Sequence, residues 1–168
     1  YRGIPELLEA SRYSDLKGIN FIFMGDGGIT QAGKDLERQI FRKSETHENI
    51  HHVKSVPIEE LLEYTSSATI GCVLTIDNCL NHKYSLPNKF FEYAMAGLPI
   101  LVSDLPEMRK LVEKYDCGVV CESISPQGVI NGLNRLLSMN LEKLSKNSRK
   151  MAEDHSWGKQ EKKLLNLY

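Results

Sequence analysis

Pro99-Ile100-Leu101-Val102-Ser103, a helical run from Pro106 to Tyr115, and Cys117-Gly118-Val119-Val120-Cys121 follow one another without interruption. Ile100, Leu101 and Val102 are consecutive apolar residues, and Gly118-Val119-Val120 lies between two cysteines. A strand that is apolar at successive positions, rather than at alternate ones, is covered on both faces. Two such strands joined by a helix form a right-handed crossover in a parallel sheet. Residues 99–121 therefore predict an α/β unit.

The same alternation continues in both directions. Upstream, Asn20-Phe21-Ile22-Phe23-Met24 reads as a buried strand, ended by the loop Gly25-Asp26-Gly27-Gly28. Residues 29–43 read as a solvent-facing helix carrying Leu36, Ile40 and Phe41, and Ile50 to Val53 as a second strand. Pro57-Ile58-Glu59-Glu60-Leu61-Leu62 opens a helix with proline at a favourable first position. Ala68 to Ile76 reads as the third strand, Asp77 to Leu86 as a loop, and Pro87 to Gly97 as a helix ended by a glycine C-cap. Downstream, helices are expected over 126–139, 141–154 and from Trp157 to Tyr168. The expected fold is α/β, a doubly wound parallel sheet with helices on both faces. Ile4 to Ser14 is helical with no strand before it, so the domain is expected to lack its first strand. Ligands on such sheets bind beyond the carboxyl ends of the strands, here the loops 25–28, 53–57, 77–88 and 103–106.

Composition narrows the function. The 168 residues form one domain, with roughly 8,400 Å² of surface expected when folded. A formal charge of −1 from 21 basic and 22 acidic residues argues against a nucleic-acid partner. No apolar run reaches the ~20 residues of a membrane span, and Tyr1-Arg2-Gly3-Ile4 is not the start of a signal peptide. Cys72, Cys79, Cys117 and Cys121 form no Cys-x-x-Cys pair and are expected to be free, buried thiols in a reducing compartment. His51 and His52 are adjacent on a strand and point to opposite faces, so no metal site is expected there.

The chemistry concentrates between Ser85 and Pro99. On a helix, Phe90, Phe91, Ala94, Met95 and Leu98 share one face, and Asn88 and Glu92 lie on another with Lys89 beside them. The first amides of that helix and its dipole suit an anion, and Lys89 adds a full charge. Glu92 can accept hydrogen bonds from a ribose diol, or it can form an ordinary solvated pair with Lys89. The loop 25–28 is neither a Gly-x-Gly-x-x-Gly fingerprint nor a P-loop, and no Gly-x-Ser-x-Gly or His-Glu-x-x-His motif occurs.

Taken in order, Arg2-Gly3-Ile4-x-x-Leu7-Leu8-x-Ala10, Phe23-Met24-Gly25-Asp26-Gly27, Asn49-Ile50, Leu61-x-x-Tyr64-x-x-Ser67-Ala68, Phe91-Glu92-Tyr93-Ala94-Met95-Ala96-Gly97-Leu98-Pro99-Ile100 and Ser156-Trp157 form a recognisable series. It resembles the C-terminal domain of a family 4 (group 1) glycosyltransferase over nearly the whole chain. The resemblance implies a Rossmann-like half of a GT-B architecture, with residues 1–168 as one nucleotide-sugar-binding domain and an N-terminal acceptor domain outside the sequence. It implies a nucleotide-diphosphate sugar donor bound by Arg2, Gly25, Asp26, Gly27, Asn88, Lys89 and Glu92. Glu92 resembles the second glutamate of the family's pair. The first falls at Tyr84, and Leu86-Pro87 replaces the Phe-Gly after it, so Tyr84 and Ser85 are the sugar-side candidates and no catalytic base is assigned.

The implied reaction is sugar transfer with retention, without a metal or other cofactor, to a glycan or lipid-linked acceptor held by the absent domain. The fragment alone is expected to be inactive. The location implied is cytoplasmic, or the inner face of a membrane by peripheral association. The competing readings are a nucleotide-sugar epimerase of the same architecture and a non-catalytic flavodoxin-like or receiver-like module. The module reading lacks the acidic cluster a receiver needs.

Overall fold

The computed structural model describes residues 2–13 and 18–167. The elements run α1 (Ile4–Ala10), β1 (Phe21–Met24), α2 (Gln31–Ser44), β2 (Ile50–Val53), α3 (Leu61–Ser66), β3 (Gly71–Val73) and α4 (Leu80–Tyr84). They continue with α5 (Asn88–Met95), β4 (Ile100–Ser103), α6 (Pro106–Tyr115), β5 (Gly118–Cys121), α7 (Pro126–Leu137), α8 (Leu141–Asp154) and α9 (Trp157–Leu165). Tyr1, Ser14 and Tyr168, which the sequence reading includes in its helical segments or their flanks, lie outside the described residues.

All strand pairs are parallel. β4 is the middle strand of the sheet β3-β4-β5, with Leu101 between Cys72 and Val119. Its four residues are essentially inaccessible, at 0, 0, 0 and 1 % exposure. Their side chains divide by parity, as strand geometry requires. Leu101 enters one core with Val119, Cys121 and the α7 residues Val129, Ile130 and Leu133. Ile100 and Val102 enter a second core with Phe90 and Ala94 of α5, Met108 and Val112 of α6, and Met151 of α8. Two cores on opposite faces of one strand make the fold doubly wound.

The expected single sheet is divided in two. β1 pairs only with β2, in register Phe21 to Ile50, and no ladder joins this pair to β3 among the described residues. The two sheets share a core instead: Phe21, Phe23, Ile40 and Ile50 pack in the cluster that holds Leu101 and Leu8. The β1 and β3 edges therefore each keep an unpaired row of backbone groups. The exposed surface, 10378 Å², exceeds the ~8,400 Å² of a compact chain of this mass. The excess includes Ile29, Ile58, Leu80 and Trp157, all at least 70 % exposed.

Several local expectations are revised. α4 occupies residues expected to be loop. It is five residues long with no side-chain cap, so neither periodicity nor a cap marks it in the sequence. β3 covers only Gly71–Val73 of the expected 68–76, because the pairing with β4 ends there. α3 begins at Leu61, after a turn over 58–60. Cys79 is exposed and not buried, while Cys117 and Cys121 are buried and all four thiols are free. Among the described residues no helix is long and apolar enough to cross a membrane.

The end of α5 conforms to a Schellman motif. The Leu98 amide donates to Tyr93 O and the Gly97 amide to Ala94 O, with Gly97 at φ +75°. Ser148 Oγ then donates to Leu98 O at 2.6 Å and ties α8 to this corner. A Cβ at Gly97 would meet only Ser145 Oγ, at 3.4 Å, so the cost of a side chain there is backbone strain and not collision. Gly97→Val is expected to destabilise the fold by about 1–3 kcal/mol. In urea unfolding the midpoint should fall while the slope stays unchanged.

Candidate functional site

α5 is oriented by its buried face. Phe90 and Ala94 are fully buried, Phe91 meets Phe90 edge-to-face at 5.3 Å, and the Tyr93 ring lies over Gly71, where any side chain would collide. That packing turns Asn88, Lys89 and Glu92 away from the core, toward the carboxyl ends of the strands. Pro87 stands at the N-cap position and offers no side-chain cap. The amides of Asn88 and Lys89 are therefore among the unsatisfied donors that every helix start leaves.

A second element brings Arg2 to the same place. Gly3 adopts φ +58° and presses on Leu74, the residue after β3, so that a Cβ would overlap Leu74. Both the backbone angle and the space demand glycine, and the result is that Arg2 is carried beside the end of β3. The charges of Arg2 and Glu92 both act on Lys89. Burial of Lys89 is the main cause that lowers its pKa, the Arg2 charge lowers it further, and Glu92 opposes both. Among the described residues Lys89 forms neither an ion pair nor a hydrogen bond. The ordinary solvated pair between Lys89 and Glu92 is not formed. The site holds two cations and one carboxylate around uncapped helix amides, a surplus of positive charge that suits an anion of charge two or more.

The glycine loop is hydrogen-bonded to other parts of the chain. The Gly25 amide donates to Val53 O at 2.9 Å, Gly27 to Glu37 Oε2 at 3.0 Å and Gly28 to Asp26 Oδ1 at 3.1 Å. The other Asp26 oxygen accepts from Ser55 Oγ at 2.9 Å. The Gly25 and Gly27 amides and the Asp26 carboxylate are thus engaged within the protein, and the loop stands as a wall. Glu37, which the sequence alone does not single out, and Ser55, within the 53–57 loop that it does, hold this wall. Their only sequence signal is position: one lies in the helix after the loop, the other just past β2.

Tyr84 is the last residue of α4 and Ser85 follows it at the C-cap, both ahead of the uncapped start of α5. Tyr84 is 57 % exposed, and Ser85 Oγ donates to His82 O at 3.1 Å. His51 and His52 do point to opposite faces: His51 Nε2 meets Asn20 Oδ1 at 2.9 Å, and the buried His52 ring meets Phe41 edge-on. Among the described residues no three potential metal ligands cluster. Burial pushes the Cys72 thiol up to about 12 and the Cys117 thiol up to about 11, so neither is a nucleophile at neutral pH. Two open grooves of about 500 and 430 Å³ flank the other end of α5, beside Arg149 and Lys146. Arg149 and Lys146 are paired with Glu153 and Glu142, and Lys150 also lines the larger groove.

The family profile described as glycosyl transferases group 1 matches residues 2–139. The chain belongs to this family. No curated protein sequence matches it. Among solved structures, WaaG, a glycosyltransferase involved in lipopolysaccharide biosynthesis, is similar at TM-score 0.59 and 18 % identity over 89 % of this chain and 38 % of that one. Sucrose-phosphate synthase from Thermosynechococcus elongatus is similar at TM-score 0.69 and 16 % identity over 99 % and 43 %. The E. coli trehalose-6-phosphate structure bound with UDP-2-fluoro glucose gives 0.62 and 16 % over 90 % and 37 %. The chain thus spans less than half the length of each. Parallel sheets flanked by helices are the fold of these GT-B glycosyltransferases.

The charge arrangement predicts a trade between stability and binding. Lys89 has a lowered pKa in the folded chain, so its protonated form opposes folding at neutral pH. That cost is relieved as pH rises through the folded pKa toward the unfolded value of about 10.4. Lys89→Met should therefore leave the urea midpoint at pH 7 equal to or above that of the parent. A clear drop would show that the ammonium has a stabilising partner.

Proposed function

We propose that this chain is the donor-binding half of a retaining glycosyltransferase. In this reading it binds a nucleotide-diphosphate sugar at the carboxyl ends of β1, β3 and β4. The observation that carries it is the uncompensated pair of cations, Arg2 and Lys89, at the uncapped start of α5. A sugar diphosphate supplies the missing negative charge, and two side-chain cations supply charge that a metal ion would otherwise have to provide. Glu92, one turn into α5, accepts hydrogen bonds from the ribose diol, and the loop 25–28 bounds the nucleoside. Tyr84 and Ser85 lie toward the sugar.

In the reaction the bond between the anomeric carbon and the diphosphate oxygen breaks, its electron pair leaves with the diphosphate, an acceptor hydroxyl oxygen bonds to the anomeric carbon, and the hydroxyl proton passes to the departing diphosphate. Lys89, Arg2 and the first amides of α5 hold the charge that accumulates there, which lowers the barrier by electrostatic preorganisation. The acceptor, a glycan or a lipid-linked sugar, is held by a second domain. The exposed Ile29 and Ile58, beside the strand ends, suit the inner face of a cleft. A half-site positions one reactant only and forfeits the roughly 7–11 kcal/mol that mutual orientation can supply. Residues 1–168 alone should therefore bind nucleotide weakly and transfer no sugar. The full-length enzyme works in the cytoplasm or on the inner face of a membrane.

Calorimetric titration of the full-length protein with UDP, GDP and ADP tests the reading, UDP first because a similar fold is bound with UDP-2-fluoro glucose. One nucleoside diphosphate should bind. Glu92→Ala should remain folded and lose about 1.5–3 kcal/mol of affinity, ten-fold or more. Unchanged affinity in the folded variant would remove Glu92 from the site. Binding should also be pH-dependent. A bound diphosphate raises the lowered Lys89 pKa, so affinity is full below the free-state pKa and falls as pH rises through it, starting below about 10.4. Lys89→Arg, whose guanidinium does not titrate in this range, should lose that decline.

A further inference from the structure

The loop after β1 is anchored by a group that lies outside the ligand-facing residues. Glu37 projects from α2, and its Oε2 accepts the Gly27 amide at 3.0 Å. Its other oxygen faces His52 Nε2 at 3.9 Å, and the His52 side chain is only 10 % exposed. Gly27 lies directly against Gly33 in the first turn of α2, and a Cβ on either glycine would overlap the backbone of the other. Thr30 caps the same turn by accepting from the Gly33 amide at 3.1 Å. The loop is thus seated on α2 with no spare volume, and Glu37 takes the Gly27 amide at the contact. On the opposite side it is tied to the end of β2 through the Gly25 amide to Val53 O, and to the segment after it through Ser55 Oγ to Asp26.

A half-buried carboxylate is costly to place unless it is hydrogen-bonded, and a charge-assisted bond to an amide is stronger than a neutral one. Without Glu37 the Gly27 amide has no acceptor at this contact, and the peptide can rotate toward the ligand side. A glycine-rich segment resists such a rotation least. We propose that Glu37 is a positioning residue for the nucleoside side of the donor site. It fixes the Gly25–Gly28 wall through the Gly27 amide, while Lys89 and Arg2 act on the diphosphate. This inference rests on the donor-site reading above. The wall stands at the end of β1 and the cations at the start of α5, so the two act on different parts of one ligand.

The separation gives the test. The full-length protein is titrated with inorganic pyrophosphate and with whichever of UDP, GDP and ADP binds. Glu37→Ala should weaken the nucleoside diphosphate at least ten-fold and pyrophosphate less than two-fold. Glu37→Gln keeps a carbonyl oxygen at the same reach and should restore nucleoside diphosphate binding to within about three-fold of the parent. Glu37→Asp keeps the charge one methylene short and should behave like Glu37→Ala. Lys89→Met, run beside them, should weaken both ligands. Circular dichroism and thermal melting establish that each variant is folded. Should Glu37→Ala not fold, the contrast between Glu37→Gln and Glu37→Asp decides. The proposal is overturned if folded Glu37 variants bind the nucleoside diphosphate like the parent, or if they lose both ligands equally. If Lys89→Met binds both ligands normally, the donor-site reading fails instead. If the parent binds no nucleoside diphosphate, both fall.

Discussion

Strand β4 has no face open to water, and the rest of the domain is arranged around that fact. Ile100 and Val102 need apolar cover on one side and Leu101 on the other, so helices must lie on both faces of the sheet. Full burial of each such side chain contributes about 1.5–3 kcal/mol, enough that a one-residue slip of register would be ruinous. The cover on one face is α5, and its position follows from Phe90 and Ala94 fitting against β4 and Tyr93 fitting over Gly71. Because those residues face inward, Lys89 and Glu92 cannot. The polar site is a geometric consequence of the core.

The same packing sustains an arrangement that is unfavourable in itself. Arg2 and Lys89 repel one another, and Lys89 is partly withdrawn from water without an ionic partner. Several exposed cations have partners: Arg109 is held by Asp104 and Glu113, Lys143 by Asp116 and Lys159 by Asp154. Surface pairs of that kind are worth little each, but they show that partners are within reach when the structure uses them. The contrast marks the start of α5 as the place where the chain accepts a local cost. An anionic ligand repays such a cost by supplying the charge. Preorganised dipoles and cations that need not move during reaction are the most effective form of transition-state stabilisation.

Much of this was legible beforehand. Continuous apolar runs marked β4 and β5, the spacing of Phe90, Phe91, Ala94 and Met95 divided α5 into two faces, and Gly97 announced its end. These features are local, since a strand or helix period is written within a few residues. The ordered series from Arg2 to Trp157 also carried the family, which the profile over residues 2–139 establishes. α4 was not legible, because five residues carry too little periodicity. Nor was the division of the sheet, since which edges pair depends on every strand that is present.

By itself, then, the sequence determined the alternation of strands and helices, the buried middle strand and the residue types gathered at the start of α5. Tertiary structure alone decided what the glycine loop does. Gly25, Asp26 and Gly27 are the right residues to approach a ligand, but the Gly25 and Gly27 amides and the Asp26 carboxylate are bonded to other parts of the chain. The Gly27 amide finds Glu37 ten residues on, and Asp26 finds Ser55 twenty-nine residues on. Neither separation is a helical or strand period. A buried amide must be satisfied by whatever acceptor packing brings to it, and that acceptor is chosen by through-space proximity, which no local pattern encodes.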